Sequence, residues 1–439
     1  MKISKLTILS SIFALGILAS CGKEGCTDPS APNYDPDATK DDGSCQEAAN
    51  EYLLSGTLSE DKTLDAANIW TLQGRVIVPN GVTLTIPAGT IIKATAGTGA
   101  NASSLVIARG GKLNAEGTAS APIIMTSVSD DIAVGQTSGS SLTENVRGLW
   151  GGLLVLGNAP CSFSGDVSEL QIEGIPASET NGLYGGNDAA DNSGTMRYIS
   201  IRHGGAEIGE GNEINGLTLG GVGTGTTIDH IEVVGNVDDG IEFFGGTVNA
   251  SELLVWGQGD DGLDIDQAYA GTISNSMVIL NEASDHALEI DGPEGSALGS
   301  FTLNNITLIG TNDECDPTGV DGEISDYRKG ATGANNNVYV MNFTEGKDIE
   351  LDKDADANSY TAGTLSFSGY QFTPAMHDGS DCYTPNLTDG SIFNDKSSVG
   401  STFEADGATI CTVVSSGGNS VGANTADFSW TYAASKDAF

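Results

Sequence analysis

The sequence predicts an all-β protein, a parallel β-helix whose last coils and C-terminal cap occupy residues 361–439. The first observation is composition: 60 glycines against 12 prolines, with abundant Ser, Thr, Asn and Asp, are typical of short strands joined by tight turns. The second is a repeat, because phrases such as DDGIEFFGG and DDGLDIDQ return at intervals of 22 to 25 residues. Coils of this length with strands and Gly/Asn/Asp turns are typical of β-solenoids.

Each predicted coil contributes apolar residues to columns that face the interior. One strand of the repeat gives two columns: Leu217, Ile241, Leu263 and Leu288, then Leu219, Phe243, Ile265 and Ile290. Another strand gives two more: Ile199, Ile231, Leu253, Met277 and Ile306, then Ile201, Val233, Val255, Ile279 and Leu308. Polar residues alternate with these positions, as half-buried strands require. Similar phrases before and after them extend the predicted β-helix over residues 51–360.

The N-terminus predicts export. Lys2 and Lys5 precede an apolar stretch too short to span a bilayer comfortably, and small residues lead to Cys21. The phrase LASC resembles the lipobox of bacterial lipoprotein signals, which implies removal of residues 1–20 and lipidation of Cys21. We therefore expect residues 21–50 to form a lipidated acidic linker module, with the protein anchored in the outer membrane and exposed at the cell surface.

Six cysteines follow Cys21, and an even number in an exported protein favours disulfides. Two pairs are predicted because each closes a short loop, and a third follows by elimination. These pairs are Cys26–Cys45, Cys382–Cys411 and, by elimination, Cys161–Cys315.

The segment between Cys26 and Cys45 is acidic and ends in DDGSC. It resembles a short cysteine-bounded module of surface and secreted proteins of Bacteroidetes, which is itself similar to thrombospondin type 3 calcium repeats. Several carboxylates on a short loop suit calcium. The predicted ligands are Asp35, Asp37, Asp41 and Asp42. A solvated, disulfide-closed spacer without calcium is the alternative.

The net charge of −41 limits the partners. We expect no nucleic-acid partner, because the basic footprint that such binding needs is missing. Anionic membrane surfaces and polyanionic glycans would also be repelled unless divalent cations bridge them. The partners that we expect, besides the membrane that holds the lipid, are a polysaccharide or a surface protein.

Carboxylates recur at fixed positions of the repeat. Outward positions between the apolar columns hold Thr218, Glu242, Asp264 and Glu289, with Asp266 and Asp291 one outward position farther on; Asp239 and Asp261 stack at the preceding turn. Coils lie ~4.8 Å apart, where two carboxylates repel by roughly 3 kcal/mol at an effective dielectric constant near 20. In a shielded groove, a proton or a cation must relieve this repulsion. The predicted calcium ligands are Asp239, Glu242, Asp261 and Asp264. A solvated acidic face and an active site are the alternatives.

The active-site alternative rests on spacing similar to that of polygalacturonase-like glycosidases, which carry N-T-D, D-D and G-H-G phrases on successive coils. NVDDG, GDDG and SDHA occupy comparable coils here. That resemblance implies an inverting hydrolase in which Asp260 is the acid and Asp239 and Asp261 activate water. The sequence departs from it at NVDDG, around His286, which no glycines flank, and at YRKG, which stands in place of an R-x-K phrase.

Nearly the whole mature chain resembles β-helical surface lipoproteins of Bacteroidetes. The resemblance is carried by GVTLTIPAGTIIKATAGTGANASSLVIARGGKLNAEGTASAPIIMTS, RGLWGGLLVLGNAP and DDGIEFFGGTVN. It implies a right-handed β-helix at the cell surface, and it supplies no established activity. We therefore expect a lipoprotein whose β-helix serves binding or adhesion and is stabilised by calcium, with the glycosidase as the alternative.

Overall fold

The structure is a computed structural model that describes residues 23–27, 35–45, 51–97, 99, 102–206, 214–311, 322–377, 380–381 and 385–439. The chain divides into two compact units, Met1–Glu51 and Tyr52–Phe439. The predicted signal and lipidation site, residues 1–20 and Cys21, lie outside the described residues. Within the described ranges, no helix is long and apolar enough to cross a membrane.

The described part of the N-terminal unit holds two short strands and a disulfide. Strand β1 (Glu24–Gly25) pairs in parallel with β2 (Lys40–Asp41). Cys26 is bonded to Cys45, with their Cα atoms 4.6 Å apart, which confirms the predicted pair.

Most of the regular elements in the larger unit are short strands. Its first coils contain β3 (Leu53–Thr57), β4 (Lys62–Thr63), β5 (Ile69–Val78), β6 (Thr83–Pro87), β7 (Ile91–Ala94), β8 (Ser104–Ile107), β9 (Lys112–Glu116), β10 (Ile123–Ser127) and β11 (Leu153–Leu156). An insertion, residues 157–193, then contains two 3-10 turns and an antiparallel hairpin: Ser164–Asp166, β12 (Leu170–Gln171), Thr180–Gly182 and β13 (Leu183–Tyr184).

The regular coils and the C-terminal part follow the insertion. The coils contain β14 (Gly194–Arg202), β15 (Leu217–Gly220), β16 (Thr227–Val234), β17 (Ile241–Phe244), β18 (Ala250–Trp256), β19 (Leu263–Asp266), β20 (Thr272–Ile279), β21 (His286–Asp291), β22 (Phe301–Ile309), β23 (Glu323–Arg328), β24 (Gly333–Met341) and β25 (Ile349–Leu351). The last part contains α1 (Asp354–Thr361), β26 (Leu365–Ser368), β27 (Tyr370–Thr373), β28 (Met376–His377), β29 (Ser380–Asp381), β30 (Phe393–Asp395), α2 (Phe403–Ile410), β31 (Cys411–Val413), a 3-10 turn (Thr425–Phe428) and α3 (Tyr432–Ser435).

The strands stack in parallel on three faces, which confirms the predicted all-β parallel β-helix. The first face is the end of β5, then β8, β11, β15, β17, β19, β21, β23, β25 and β30. The second face consists of β4, β6, β9, the first half of each even-numbered strand from β14 to β24, and β26. The third face consists of β3, the first part of β5, all of β7 and β10, the second half of each even-numbered strand from β14 to β24, and finally β27 and β31.

One residue makes the corner between the second and third faces in each long strand. It has a positive φ, a conformation that costs non-glycine residues energy and that asparagine tolerates best. From coil to coil these corner residues are Tyr198, His230, Glu252, Asn275, Asn305 and Asn337. The sharp corner lets a single strand contribute to two faces.

The predicted interior columns are confirmed on the first face and need a correction on the third. On the first face, Leu263 lies between Ile241 and Leu288 as expected. In β20, however, Ser276 pairs with Ile306. Val278 likewise pairs with Leu308, so the interior positions belong to Ser276 and Val278. Two predicted core residues, Met277 and Ile279, therefore face outward.

The exchange at β20 has a physical reason on both sides of the strand. The Ser276 hydroxyl accepts a hydrogen bond from the Leu253 amide at 3.2 Å and donates one to the Ser274 carbonyl at 3.0 Å, so the polar group is satisfied inside. Outside, Met277 packs in an apolar cluster with Phe428 of the C-terminal segment. Apolar residues on both sides of a strand hide the alternation on which the prediction relied.

The C-terminal part covers two surfaces of the solenoid. Helix α2 places Phe403 against Phe393 and Phe367 at the end of the core. Residues 414–439 then run back along the third face, where the Ala433 amide donates a hydrogen bond of 2.8 Å to Glu232. An apolar surface that would otherwise be open is thereby buried.

Each of the other two predicted disulfides includes a cysteine that is a free thiol in the structure. Cys411 is a free, buried thiol rather than half of the predicted Cys382–Cys411 bond, because its side chain joins the interior cluster at the start of β31. Burial raises the pKa of the Cys411 thiol to about 12. Cys161 is also free and donates a hydrogen bond to the Phe244 carbonyl at 3.3 Å. The predicted partners, Cys382 and Cys315, lie outside the described residues.

Candidate functional site

A column of carboxylates runs along the outside of the first face. Successive strands place its members in direct register, one per coil. The column is Glu242, Asp264, Glu289, Asp326 and Glu350, preceded by Thr218. The sequence predicted it from Thr218 to Glu289, and the structure extends it by two coils.

Asp326 and Glu350 were missed in the sequence because the repeat pattern is interrupted in their coils. Ser325 pairs with Leu288 and thus takes a position that is apolar in the coils before it. A longer connection also separates β21 from β23. The second interior column does continue through Tyr327 and Leu351, and that signal could have located Asp326 between Ser325 and Tyr327.

A second column lies at the turn that leads into the first face. Asp239 Oδ1 accepts a hydrogen bond from the Asp261 amide at 2.9 Å. Asp261 Oδ1 in turn accepts from the amide of His286 and lies 2.8 Å from its Nδ1. These carboxylates therefore hold one coil to the next. Asp239 and Asp261 are also buried, whereas the alternative of a solvated acidic face requires exposed carboxylates.

The 157–193 insertion covers the neighbouring part of the first face. Its Phe163 and Tyr184 belong to an apolar cluster with Leu154 and Leu156 on the outside of β11. The Tyr184 hydroxyl donates a hydrogen bond of 2.9 Å to the Gln267 side chain beside β19. The predicted outward positions are consequently shielded from solvent: Glu242 is 6% and Asp264 is 9% exposed.

Burial raises the pKa of the carboxyls in the upper part of the column, the coils of Glu242 and Asp264. The pKa values of Glu242 and Asp264 lie well above their ordinary range, first because of burial and then because of neighbouring negative charges. The same two causes raise the pKa of Asp239. Asp264 Oδ1 has no hydrogen-bond partner. An isolated buried carboxylate is strongly disfavoured, so this part of the column needs protons or a cation.

In the lower part of the column, side chains neutralise Glu289 and Glu350 and also the neighbouring Asp291, whereas the buried Asp326 Oδ1 has no hydrogen-bond partner. Arg328 donates to both oxygens of Asp291, at 2.7 and 2.9 Å, and also contacts Glu289. Lys329 lies 2.5 Å from Asp291, and Lys396 pairs with Glu350 farther down. The arginine and lysine of the YRKG phrase thus lie on the acidic face, as partners of its carboxylates.

In the part of the chain that the structure describes, three groups of side chains bring their ligand atoms within 4.8 Å of one another. They are Asp239 with Asp261 and Asp264, Asp238 with Asp239 and Asp260, and Asp261 with His286 and Glu289. The first contains three of the four calcium ligands predicted for the solenoid, and the fourth, Glu242, is the register neighbour of Asp264. Its ligands are all oxygens, and one of them is orphaned and buried, which fits calcium.

The predicted catalytic residues lie together, in a geometry that only partly suits hydrolysis. Asp260 is exposed, and partial burial followed by the charge of Asp261 raises its pKa to about 6. An oxygen of Asp260 lies within 4.8 Å of one from Asp239, closer than the roughly 6.5–9.5 Å of inverting glycosidases. Burial disfavours the charged form of His286, but the Asp261 hydrogen bond and nearby carboxylates raise its pKa to about 9. A protonated His286 would be an ion-pair partner and not a base.

The four predicted ligands of the N-terminal unit do not gather into such a group within the described residues. Asp35 lies 2.7 Å from Lys23, and the hydrogen bond from this lysine lowers the pKa of the carboxyl. Asp41 accepts from the Gly43 amide at 3.1 Å and Asp42 from the Ser44 amide at 2.9 Å. Asp37 lies 3.6 Å from the same lysine. These contacts fit the spacer alternative.

Comparison with known proteins identifies the fold family. No curated protein matches the chain. One solved structure, described as the crystal structure of the Agl-KA catalytic domain, is 13% identical and is matched over 67% of this chain and 52% of that one, with a TM-score of 0.26. The chain thus spans about half the length of that structure, and a similarity this loose carries no inference about activity. The family described as the pectate-lyase like beta helix domain matches residues 56–431. The chain belongs to this family of β-helix domains.

Proposed function

We propose that this protein is an outer-membrane lipoprotein, anchored through Cys21, whose β-helix binds calcium on its first face to hold a polysaccharide or a surface protein. One observation carries the calcium proposal: the orphaned, buried Asp264 oxygen in a group with Asp239 and Asp261. A divalent ion would satisfy this oxygen and neutralise the stacked charges together. Protonation would neutralise the charges but would not coordinate the orphaned Asp264 oxygen.

The lower coils of the same face give a comparison, in which Asp291 and Glu350 have cationic partners, whereas Asp326 Oδ1, like Asp264 Oδ1, is buried without a hydrogen-bond partner. There the chain supplies its own cations, with Arg328 and Lys329 on Asp291 and Lys396 on Glu350. In the group around Asp264, Asp261 lies 2.8 Å from the ring of His286, but Asp239 and Asp264 have no cationic partner among the described residues, although the carboxylates stack at the same coil spacing. Calcium would supply there the positive charge that side chains supply farther down.

Calcium would also give the protein a means to bind oxygen-rich ligands. The group of Asp238, Asp239 and Asp260 reaches the surface at the exposed Asp260, beside the buried group. A cation held near this edge would offer coordination positions to sugar hydroxyls or to carboxylates. It would thereby overcome the repulsion between a chain of net charge −41 and an acidic partner.

The calcium proposal is tested by the melting temperature of the mature protein in EDTA and in calcium. We expect calcium to raise the melting temperature of the wild type and of Glu60→Gln, which removes one exposed charge far from the column. Asp264→Asn should lose most of the calcium effect, because the amide keeps the shape and removes the charged ligand. A calcium effect of equal size in all three proteins would refute the site.

The binding proposal is tested with immobilised polysaccharides and with or without calcium. Retention on one glycan in calcium, and release of the protein by EDTA, is the expected result. Calcium-independent retention, or no retention on any glycan or surface protein, would contradict the role given to the cation.

The glycosidase remains a second candidate because Asp260 combines exposure with a pKa raised to about 6, a property that suits a general acid. Reducing-sugar release from neutral and acidic polysaccharides, measured beside Asp260→Asn, separates the two proposals. Release by the wild type alone would make the carboxylates an active site. Release by neither protein, together with calcium-dependent retention, would favour the binding module.

A further inference from the structure

One carboxylate from the 157–193 insertion reaches the acidic column. Glu173 is exposed, yet its Oε1 lies 3.3 Å from Nδ2 of Asn215, a residue that is completely buried. The same Nδ2 atom donates to Glu242 in the column. One amide group therefore holds the rim of the insertion beside the upper end of the acidic column.

Two buried oxygens without partners flank this contact. Asn215 Oδ1 has no hydrogen-bond partner, and neither does Asp264 Oδ1 on the coil next to Glu242. Leaving a buried acceptor unsatisfied costs about 1–3 kcal/mol, and more for a charged group. One orphaned acceptor is on the residue that links Glu173 to Glu242 and the other is on the coil next to Glu242, and a bound cation that prefers oxygen ligands would satisfy both.

We infer that Glu173 is a further ligand of the calcium bound at the column, and that calcium thereby closes the insertion over the first face. The inference rests on the calcium site proposed above and assigns to it a residue far away in the sequence. Asn215 would contribute its amide oxygen after a flip of the side chain, which exchanges the two ends of the amide without moving the backbone.

Apolar side chains also anchor the insertion, so calcium should tighten its rim, residues 170–182 around Glu173, and should not be needed to hold the insertion as a whole. Phe163, Ile172 and Tyr184 pack in the apolar cluster on the outside of the coils. Around Glu173, an amide of Asn215 that also donates to Glu242 links the insertion to the column. Without calcium, the repulsion between these carboxylates favours opening of the rim; with calcium, both bind the same ion.

Hydrogen exchange of the full mature protein, read by mass spectrometry in EDTA and in calcium, tests this inference. Peptides covering residues 170–182 should exchange about tenfold more slowly in calcium, which corresponds to about 1.4 kcal/mol. Glu173→Gln should lose this difference. The matched control is Asp188→Asn, in the same insertion, where the amide oxygen can still accept the hydrogen bond from Ala190.

The outcomes separate this inference from the calcium site itself. Calcium should still raise the melting temperature of Glu173→Gln, because Asp239, Asp261 and Asp264 remain. Equal calcium protection of residues 170–182 in Glu173→Gln and in the wild type would overturn the role of Glu173 and leave the calcium site intact. No calcium effect on the melting temperature of the wild type would instead overturn the site, and this inference with it.

Discussion

Raising the pH should destabilise the calcium-free protein, contrary to the behaviour of a protein whose carboxylates are ion-paired. Burial, before any other cause, raises the pKa of Asp266 to about 7 from an ordinary 3.8, and that of Asp326 to about 7. A carboxyl with a raised folded pKa binds a proton that the unfolded chain has already released, so the free energy of unfolding falls as pH rises between the two values. His286 acts in the same direction, since its pKa of about 9 in the folded protein exceeds 6.5 and its contribution is lost as pH rises through 9.

The size of the effect follows from these values. For Asp266, moving from pH 4 to pH 7 removes up to about 4 kcal/mol, at about 1.4 kcal/mol per pH unit. For a domain of this length, that corresponds to a fall of about 5 °C in melting temperature. The buried Asp239, Glu242 and Asp264 have raised pKa values and add to the slope, although coupled groups do not contribute independently.

Calorimetric melting in EDTA from pH 5 to pH 8.5 measures this slope. Asp264→Asn should have a shallower slope, because one buried carboxyl no longer titrates, while Glu60→Gln should keep the slope of the wild type. Calcium should flatten the wild-type curve, since an ion rather than protons then neutralises the ligands. A melting temperature that stays constant or rises with pH in EDTA would refute the electrostatic account of the first face.

Two further predictions concern other charged contacts. Arg328→Met should lower the free energy of unfolding in EDTA by about 2 kcal/mol, because Asp291 and Glu289 lose a partly exposed partner. Denaturant unfolding measures this change, and an unchanged midpoint would contradict the neutralising role of Arg328. Glu232→Gln should cost about 3 kcal/mol and expose residues 414–439 to protease, because the completely buried Glu232 accepts from Ser200 and Ala433 beside the buried Arg202. Glu252→Gln, on the next coil and more exposed, is the control, and equal cleavage in both variants would refute the anchoring role.

The sequence could predict whatever the repeat period determines. Alternation placed Leu263 and Ile265 inside and Asp264 between them, and the structure agrees because stacked coils repeat the same residue environment. The prediction failed at Met277, where the C-terminal segment buries the outer side of the strand as well. It also could not show that Asp264 is shielded, since the residues that cover the first face come from an insertion about a hundred positions earlier.

The acidic column is therefore a consequence of the fold as much as a feature of the sequence. A parallel β-helix places equivalent residues of successive coils at strand spacing, so an apolar position becomes a core column and a carboxylate position becomes a line of repelling charges. Along this line the chain varies the means of neutralisation. Arg328 and Lys396 neutralise Glu289 and Glu350, whereas Asp264 and Asp326 each have a buried oxygen without a hydrogen-bond partner. Arg328 lies two coils from Asp264, and among the described residues no lysine or arginine pairs with Asp264; the calcium proposed above would neutralise that coil as Arg328 neutralises Glu289.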